Sequence, residues 1–334
     1  MRAFVTGSTG LLGNNLVAAL VADGWQVRAL ARSAEKGRAQ LGHLPGVEVV
    51  VGDLDDVAGF VDALAGVDVV FHTAAYFREY FSDGEHEALL RRRNVDATVA
   101  LARAAVSRGV KRFVHTSSSG TIRSRADGSM STEADVHRAE DLANRYFASK
   151  VEADTALTNV VEATGLDLVT ILPGWMFGPG DSAPTSAGKL VQDAIADRLP
   201  PVALPGRTGV VDARDVAAAM VRAASVGAPG ERFIVAGADA SLTEVLSQLA
   251  VQCGRRPPPL TLPYPMAWVF AATVEALARV TGGEPLVTRM ALATLNSGHN
   301  LSSARAQARL GATFRPLAET LADTLSWYRA HPAG

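Results

Sequence analysis

Near the amino terminus the chain reads Thr6-Gly7-Ser8-Thr9-Gly10-Leu11-Leu12-Gly13, and this glycine-rich stretch decides the fold. Residues 1–5 are typical of a buried strand, and the apolar run 11–22 is typical of a helix. A tight turn between them needs residues without a Cβ, both to adopt a positive φ and to let a phosphate approach the backbone. The first N–H groups and the positive dipole end of the helix favour an anion there. The GxxGxxG spacing therefore predicts a dinucleotide-binding turn, with cofactor contacts from Gly7, Thr9, Gly10, Leu11, Leu12 and Gly13.

Composition limits the classes of protein to which the chain can belong. Its 334 residues are 48% hydrophobic, which suffices for a large α/β domain with a smaller lobe. The net charge of −2 gives no bias toward nucleic acid or an anionic membrane, so neither is predicted as a partner. The single cysteine, Cys253, excludes an intramolecular disulfide, and no signal-peptide pattern precedes the first strand; both favour a cytoplasmic location. The histidines lack metal-ligand spacing, so no metal site is predicted.

One later stretch is strongly apolar. Residues 266–280 include Glu275 and Arg279 and are too short to span a bilayer. The pattern predicts an amphipathic helix and leaves contact with a membrane surface open.

Strand-like and helix-like stretches alternate along the first half of the chain. Runs of Val, Ile, Leu and Phe bounded by Gly or Asp predict further buried strands at 25–31, 47–51, 67–72, 112–116 and 166–172. Helical patterns lie between strands at 57–65, 94–107 and 144–164. This alternation predicts an α/β fold with a doubly wound parallel sheet of the Rossmann type, whose ligands bind at the carboxyl ends of the strands.

Proline and glycine become frequent after Leu172, as expected of a less regular lobe that closes over a site. We therefore predict a dinucleotide-binding domain over residues 1–173, with a return at 210–237. A smaller C-terminal substrate-binding lobe is predicted over 174–209 and 238–334.

The end of the second strand indicates which dinucleotide binds. An acidic residue there binds the ribose 2′-hydroxyl of NAD, whereas an arginine accommodates the 2′-phosphate of NADP. Here the strand is followed by Arg32 and Ser33, which favour NADP(H), with NAD(H) as the alternative cofactor. An arginine in a solvated surface loop would give the same sequence.

Two further strand ends are candidates for cofactor contact. Asp53 and Leu54 follow the third strand and are expected near the adenine, although Asp53 is equally a candidate N-cap of the next helix. The small residues Thr73, Ala74 and Ala75 end the fourth strand. They would let that loop lie against the ribose and diphosphate, or would serve only the packing of a helix on the sheet.

The stretch Tyr146-Phe147-Ala148-Ser149-Lys150 predicts the chemistry. Positions i and i+4 of a helix share a face, so Tyr146 and Lys150 can reach one ligand. A free tyrosine has a pKa of about 10. A neighbouring ammonium and the positive nicotinamide of an oxidised cofactor would lower that pKa toward the range of proton exchange. The serines that follow the fifth strand can donate a hydrogen bond to a substrate carbonyl oxygen.

These motifs, in this order, resemble the extended short-chain dehydrogenases/reductases of the NAD-dependent epimerase/dehydratase type. The resemblance covers nearly the whole chain and includes Asn94-Val95 and the segment 173–179. It implies that Tyr146 is the catalytic acid/base and that Lys150 tunes it and holds the nicotinamide ribose. It also implies that Ser118 is the catalytic serine, with Ser119 as the alternative, and that Pro173 borders the nicotinamide. Relatives of this kind often pair as homodimers through helices that flank the sheet, the Tyr146 helix among them, but the sequence itself leaves the oligomeric state open.

The branch of the family is indicated by the serine segment. Ser117-Ser118-Ser119-Gly120-Thr121 and Arg32 resemble dihydroflavonol-4-reductase-like enzymes, and the Thr-Asp-Glu of sugar dehydratases is replaced by Thr-Ser-Ser. The resemblance implies an NADPH-dependent reductase of a ketone or aldehyde, reversibly an alcohol dehydrogenase. A nucleotide-sugar epimerase with a retained cofactor and a 3β-hydroxysteroid-dehydrogenase-like enzyme are the alternatives. A redox-sensing binding protein is a further alternative, against which the intact Tyr146 and Lys150 argue.

Aromatic residues at 75–81 and 175–177 predict an apolar substrate pocket, unless they serve only the packing between the lobes. The candidate substrate-contacting residues are Tyr76, Ser119, Trp175, Met176 and Phe177.

Overall fold

A parallel sheet of seven strands forms the centre of the computed structural model, which describes residues 1–77, 84–281, 287–296 and 300–332. In chain order the strands are β1 (Arg2–Thr6), β2 (Gln26–Ala31), β3 (Val47–Val51), β4 (Val69–His72), β5 (Arg112–Thr116), β6 (Asp167–Pro173), β7 (Trp175–Phe177), β8 (Arg207–Asp212), β9 (Arg232–Val235) and β10 (Ala238–Ser241). The large sheet has the order β3-β2-β1-β4-β5-β6-β9, with every neighbouring pair parallel. A second sheet has the order β10-β8-β7. The predicted doubly wound parallel sheet is thereby confirmed.

Helices connect the strands and cover both faces of the large sheet. They are α1 (Leu11–Ala22), α2 (Ala34–Leu41), α3 (Gly84–Leu90), α4 (Ala97–Ser107), α5 (Arg145–Thr164), α6 (Ser186–Ile195), α7 (Ala213–Val226), α8 (Leu242–Gln252), α9 (Tyr264–Thr281), α10 (Arg289–Asn296), α11 (Ala304–Leu310) and α12 (Leu317–Ala330). In the part of the chain that the structure describes, no helix combines the length and the apolar character needed to cross a bilayer.

Two predicted helices differ from the structure. Residues 57–65 were expected to be helical, but a 3-10 helix spans Leu54–Leu64 and is broken at Asp56 (φ −136°, ψ 76°). The helix expected at 94–107 continues back through a π-helical turn, Arg91–Asp96, into α3. Such turns insert an extra residue into a helix and often occur at functional sites.

The core consists of two apolar layers, one on each face of the large sheet. One layer includes Leu16 of α1 and Met220 of α7, and the other includes Phe60, Leu101 of α4 and Leu157 of α5. All five side chains are buried. These layers fix the strands in place, so that their carboxyl ends form one continuous edge.

The second half of the chain supplies both the rest of the large sheet and a smaller unit. Within residues 210–237, helix α7 packs against α1 and strand β9 adds the seventh strand. The three-stranded sheet and helices α6, α8 and α12 share a separate apolar cluster that contains Phe177, Val191 and Leu249. The division into two lobes with distinct roles stays a prediction.

Candidate active site

A cavity of about 700 Å³ runs along the carboxyl ends of the central strands. It collects most of the residues that the sequence singles out, although they come from segments far apart in the chain. The sequence-predicted residues that line it are Gly7, Thr9, Gly10, Leu11, Leu12, Gly13, Arg32, Asp53, Leu54, Thr73, Ala74, Ala75, Tyr76, Ser118, Ser119, Tyr146, Lys150, Pro173, Trp175 and Met176. This position is the one at which parallel α/β sheets bind ligands.

The glycine turn is shaped for a close approach of the backbone. Gly7 has a φ of +66°, and a Cβ there would lie 2.7 Å from the backbone nitrogen of Ala74. A Cβ on Gly13 would lie 2.1 Å from the carbonyl oxygen of Gly7. No side chain caps the start of helix α1. The first N–H groups of a helix have no partner within the helix and can bind an anion. The turn therefore fits the diphosphate of a dinucleotide.

Two cations mark the β2 end of the cavity. Arg32 and Lys36 both line it, on the loop after β2 and on α2. Ser33 does not line the cavity: its hydroxyl caps α2 by accepting a hydrogen bond from the N–H of Lys36 at 3.2 Å. The serine thus caps the start of α2 and, unlike Arg32 and Lys36, does not form part of the cavity wall.

At the β3 end of the cavity, Asp53 both caps the following 3-10 helix and lines the cavity. The carboxylate of Asp53 accepts a hydrogen bond from the N–H of Asp55 at 3.0 Å, and Asp53 also lines the cavity. Asp55 lines the cavity as well and pairs with Arg92 and Arg93. The Arg92 guanidinium holds the pKa of the Asp55 carboxyl below its ordinary value, so the carboxylate is ionised and the two arginines compensate its charge.

A buried chain of hydrogen bonds fixes the end of β4 against β1. The hydroxyl of Thr73 donates to the carbonyl oxygen of Thr6 at 2.7 Å. The His72 ring lies between the hydroxyls of Thr6 and Thr98, at 2.7 and 2.9 Å. Burial lowers the pKa of His72 well below its usual value, so the ring is neutral at pH 7.

Helix α5 carries the Tyr-x-x-x-Lys pair. Asn144 caps the helix and accepts hydrogen bonds from the N–H groups of Tyr146 and Phe147. The Lys150 ammonium is buried, donates to the carbonyl oxygen of Thr116 at 2.9 Å and lies 5.9 Å from the centroid of the Tyr146 ring. The helical spacing thus brings both groups to the cavity.

The two groups have opposite pKa shifts. Burial lowers the pKa of Lys150 to about 8, and the charge of Asp154 opposes that shift. Burial raises the pKa of the Tyr146 phenol. The protein groups alone therefore favour a protonated phenol, and the lowering that the sequence suggests needs the positive nicotinamide as well.

The serines after β5 have distinct environments. Ser118 and Ser119 both line the cavity. The hydroxyl of Ser118 accepts a hydrogen bond from the N–H of Gly120 at 3.1 Å, which leaves its own proton available to a ligand. The hydroxyl of Ser117 donates to Asp154 at 2.9 Å.

Asp154 is the centre of a buried network that sequence analysis missed. Besides Ser117, its carboxylate pairs with Arg232 of β9 at 3.0 Å and lies 3.4 Å from the Nε2 atom of His115. Although burial acts to raise the pKa of Asp154, these partners hold it below its ordinary value. The spacing of Asp154 four residues after Lys150 was the available signal, because it places the carboxylate on the same helix face.

Asn94 fixes one lip of the cavity. Its side chain accepts a hydrogen bond from the N–H of Tyr76 at 2.8 Å and donates to the Tyr76 carbonyl oxygen and the Ser149 hydroxyl, each at 3.0 Å. The Phe77 ring contacts the Tyr146 ring edge-on at 4.7 Å. Of the aromatic stretch 75–81, residues 78–81 lie outside the described residues.

The wall of the cavity formed by β7 and α10 is largely apolar. The sequence predicts only some of the residues that line it. Trp175 and Met176 line the cavity, but Phe177 does not. Its side chain is 1% exposed and packs in the apolar cluster of the smaller sheet, where its ring contacts that of Trp175 edge-on at 4.8 Å. Sequence analysis missed Met290, Ala291, Thr294 and Leu295 of α10, which close this wall.

Comparisons with known proteins identify a family that this chain matches. Residues 3–236 match the NAD dependent epimerase/dehydratase family. A putative dihydroflavonol 4-reductase from Synechocystis is 30% identical over 98% of this chain and 94% of its own. Sterol demethylase protein B from Methylococcus capsulatus is 32% identical over 98% of both chains.

Solved structures share the fold over the whole chain. The structure of gox2253 superposes with a TM-score of 0.86 at 29% identity, over 99% of this chain and 98% of its own. A UDP-glucuronic acid 4-epimerase from Bacillus cereus, solved with NAD, has a TM-score of 0.80 at 16% identity over 99% of both chains, and this likeness shows the fold alone. The family match, which covers more than half of the chain, shows that this protein belongs to the NAD-dependent epimerase/dehydratase family, within the extended short-chain dehydrogenases/reductases.

Proposed function

We propose that the protein is an NADPH-dependent reductase of a ketone or aldehyde carried on an apolar body, reversible as an alcohol dehydrogenase. The observation that carries the proposal is the composition of one cavity. Tyr146, Lys150 and Ser118 line it together with the glycine turn, and Arg32 and Lys36 line its β2 end. Aromatic and aliphatic side chains form the opposite end.

The cofactor would be held by groups of known chemistry. The backbone of the glycine turn and the start of α1 suit a diphosphate. Arg32 and Lys36 provide the positive charge that a ribose 2′-phosphate requires, and a planar guanidinium can bind it with two hydrogen bonds. NAD is the cofactor in the Bacillus cereus structure; the preference for NADP(H) here rests on these two cations.

The chain's own residues would handle the proton. A nicotinamide cofactor, when bound, supplies hydride to the carbonyl carbon. The Tyr146 hydroxyl gives its proton to the carbonyl oxygen, and the Ser118 hydroxyl donates a hydrogen bond to the same oxygen. The Lys150 ammonium then stabilises the phenolate that Tyr146 becomes. In the reverse direction the phenolate accepts the proton of the alcohol.

Reductases among the relatives support this direction of the reaction. The Synechocystis relative is named as a reductase, and a Stigmatella aurantiaca relative, 31% identical over the whole chain, is named as a ketoreductase of a farnesylated quinoline. The apolar wall of Trp175, Met176 and the α10 residues suits a substrate with an apolar body.

Turnover of a carbonyl panel tests the proposal. NADPH and NADH oxidation would be followed with aryl ketones, aldehydes, ketosteroids and keto nucleotide-sugars. We expect NADPH-dependent reduction of at least one apolar carbonyl compound. Conversion of a nucleotide-sugar to its epimer without net cofactor use would favour the epimerase, and NADPH binding without turnover of any compound would contradict the reductase.

A further inference from the structure

Helix α9 exposes large apolar side chains and buries small ones. Six of the thirteen exposed large hydrophobic side chains of the described residues belong to it. Its buried residues are Ala267 and Ala271. A helix on the surface of a water-soluble protein normally has the opposite arrangement, with the large apolar side chains toward the core.

Five of the six exposed side chains lie on one face of the helix. Met266, Val269, Phe270, Leu277 and Val280, which we call the α9 stripe, occupy positions i, i+3, i+4, i+11 and i+14 of the helix and therefore share one face. Their exposed fractions run from 43% for Phe270 to 86% for Val280. The stripe extends over four turns of the helix.

The charges of the helix lie away from the stripe. Glu275 is 14% exposed and accepts hydrogen bonds from the backbone N–H and the Nε of Arg289 at 2.6 and 2.8 Å. The Arg289 guanidinium lies over the ring of Trp268 at 5.4 Å, and Arg279 is exposed. An apolar stripe flanked by arginines and a tryptophan is the composition of a helix that lies in a lipid headgroup region.

The stripe belongs to the structure that closes the cavity. Helix α9 packs against α10, and the Glu275–Arg289 pair ties the two together. Met290 and Leu295 of α10 line the apolar end of the cavity. A surface bound by α9 would therefore lie close to the wall of that end.

We propose that the α9 stripe binds the surface of a lipid bilayer, with the helix lying parallel to it. A second copy of this chain is the competing occupant, but Trp268, Arg279 and Arg289 beside the stripe are the residue types that favour a lipid headgroup region. An interfacial helix needs no more than one apolar face and flanking cations. Such binding would place the cavity beside the phase in which apolar substrates dissolve. The inference goes beyond the proposed reductase and does not require it.

Flotation with vesicles tests this proposal without substrate or cofactor. The full chain would be centrifuged with vesicles of phosphatidylcholine, alone or with one third phosphatidylglycerol. We expect the wild type to float with both and to bind more tightly to the anionic vesicles. The double variant Val269→Glu/Leu277→Glu should lose about tenfold or more of its binding, since charges at both positions oppose burial of the stripe.

A matched control separates the stripe from a general surface effect. Val251 of α8 is 60% exposed, as is Val269, so Val251→Glu adds a charge at an equally exposed valine and should float like the wild type. Thermal unfolding of all variants checks the fold. Wild type that stays unbound, or a double variant that floats like wild type, would overturn the proposal. A wild-type dimer that becomes a monomer in the double variant would assign the stripe to a second copy instead.

Discussion

The Lys150 ammonium donates a hydrogen bond to the carbonyl oxygen of Thr116 at 2.9 Å, which ties helix α5 to the last residue of β5. The contact holds the lysine at the start of the serine segment and beneath the Tyr146 ring. One helix thereby positions both the proton donor and the charge that stabilises its conjugate base.

The charge of Lys150 predicts how reduction depends on pH. Its pKa is lowered to about 8, so the ammonium is present below that pH and is lost as the pH rises through it. We expect kcat/KM for carbonyl reduction to fall as pH rises through about 8. In Lys150→Arg the guanidinium keeps its charge, so the fall should move to higher pH. Initial rates between about pH 6 and pH 10 measure this. A fall at the same pH in both proteins would show that another group titrates.

Removal of the Tyr146 hydroxyl should abolish most of the chemistry and leave cofactor binding intact. Tyr146→Phe keeps the ring that contacts Phe77 but has no proton to give. We expect kcat to fall by about 10²- to 10⁴-fold. NADPH affinity, measured by fluorescence, should stay within about twofold. The control is Tyr264→Phe, at the start of α9, which should keep full activity. Retained turnover in Tyr146→Phe would remove this residue from the mechanism.

Arg32 should determine the choice of cofactor. The loss of a charged hydrogen-bonding pair with a 2′-phosphate predicts that Arg32→Ala lowers kcat/KM with NADPH by about 10- to 100-fold. Activity with NADH should change little. Arg38→Ala, at an exposed position of the neighbouring helix α2, serves as the control and should alter neither value. Equal losses with both cofactors would place Arg32 outside the recognition of the phosphate.

Asn94 should matter for both stability and substrate binding. Asn94→Ala leaves the Tyr76 N–H and the Ser149 hydroxyl without this partner in a largely buried position. We expect the free energy of unfolding in urea to fall by about 1–3 kcal/mol. KM for the carbonyl substrate should rise because Tyr76 forms a lip of the cavity. The exposed Asn300→Ala should change stability by less than about 0.5 kcal/mol. An Asn94→Ala protein as stable as wild type would contradict a stabilising role of the Asn94 hydrogen bonds.

The hydrophobic pattern of the sequence predicts the helices and strands whose apolar residues pack in the core. The bounds of α1 and of strands β3 and β5 match the predicted ranges 11–22, 47–51 and 112–116. In these segments the hydrophobic runs and the polar or glycine residues that end them indicate the same limits. The prediction of an α-helix after Asp53 was wrong. The Asp53 cap starts a 3-10 helix at Leu54 instead, and the backbone break at Asp56 interrupts it.

The sequence predicts the site residues that belong to short motifs. It does not predict those that reach the site only through contacts between distant segments of the chain. The Tyr146–Lys150 spacing and the glycine turn work over a few residues, so the sequence displays them. Asp154 contacts Arg232 across 78 positions of the chain, and the α10 wall reaches the cavity from near the carboxyl terminus. Ser33 and Phe177 do not line the cavity; Ser33 caps α2 locally, whereas the apolar cluster that Phe177 shares with Val191 and Leu249 is a tertiary contact that no short motif reveals.

The most direct test of the proposed function is transfer of a label from the cofactor. Once a carbonyl substrate is found, the reaction would be run with NADPH deuterated at the transferred position and followed by mass spectrometry. The proposal predicts one deuterium on the former carbonyl carbon of the alcohol for each NADPH oxidised. An epimeric product that carries no deuterium and forms without net NADPH oxidation would contradict the reductase, because an epimerase returns the substrate's own hydride from its retained cofactor.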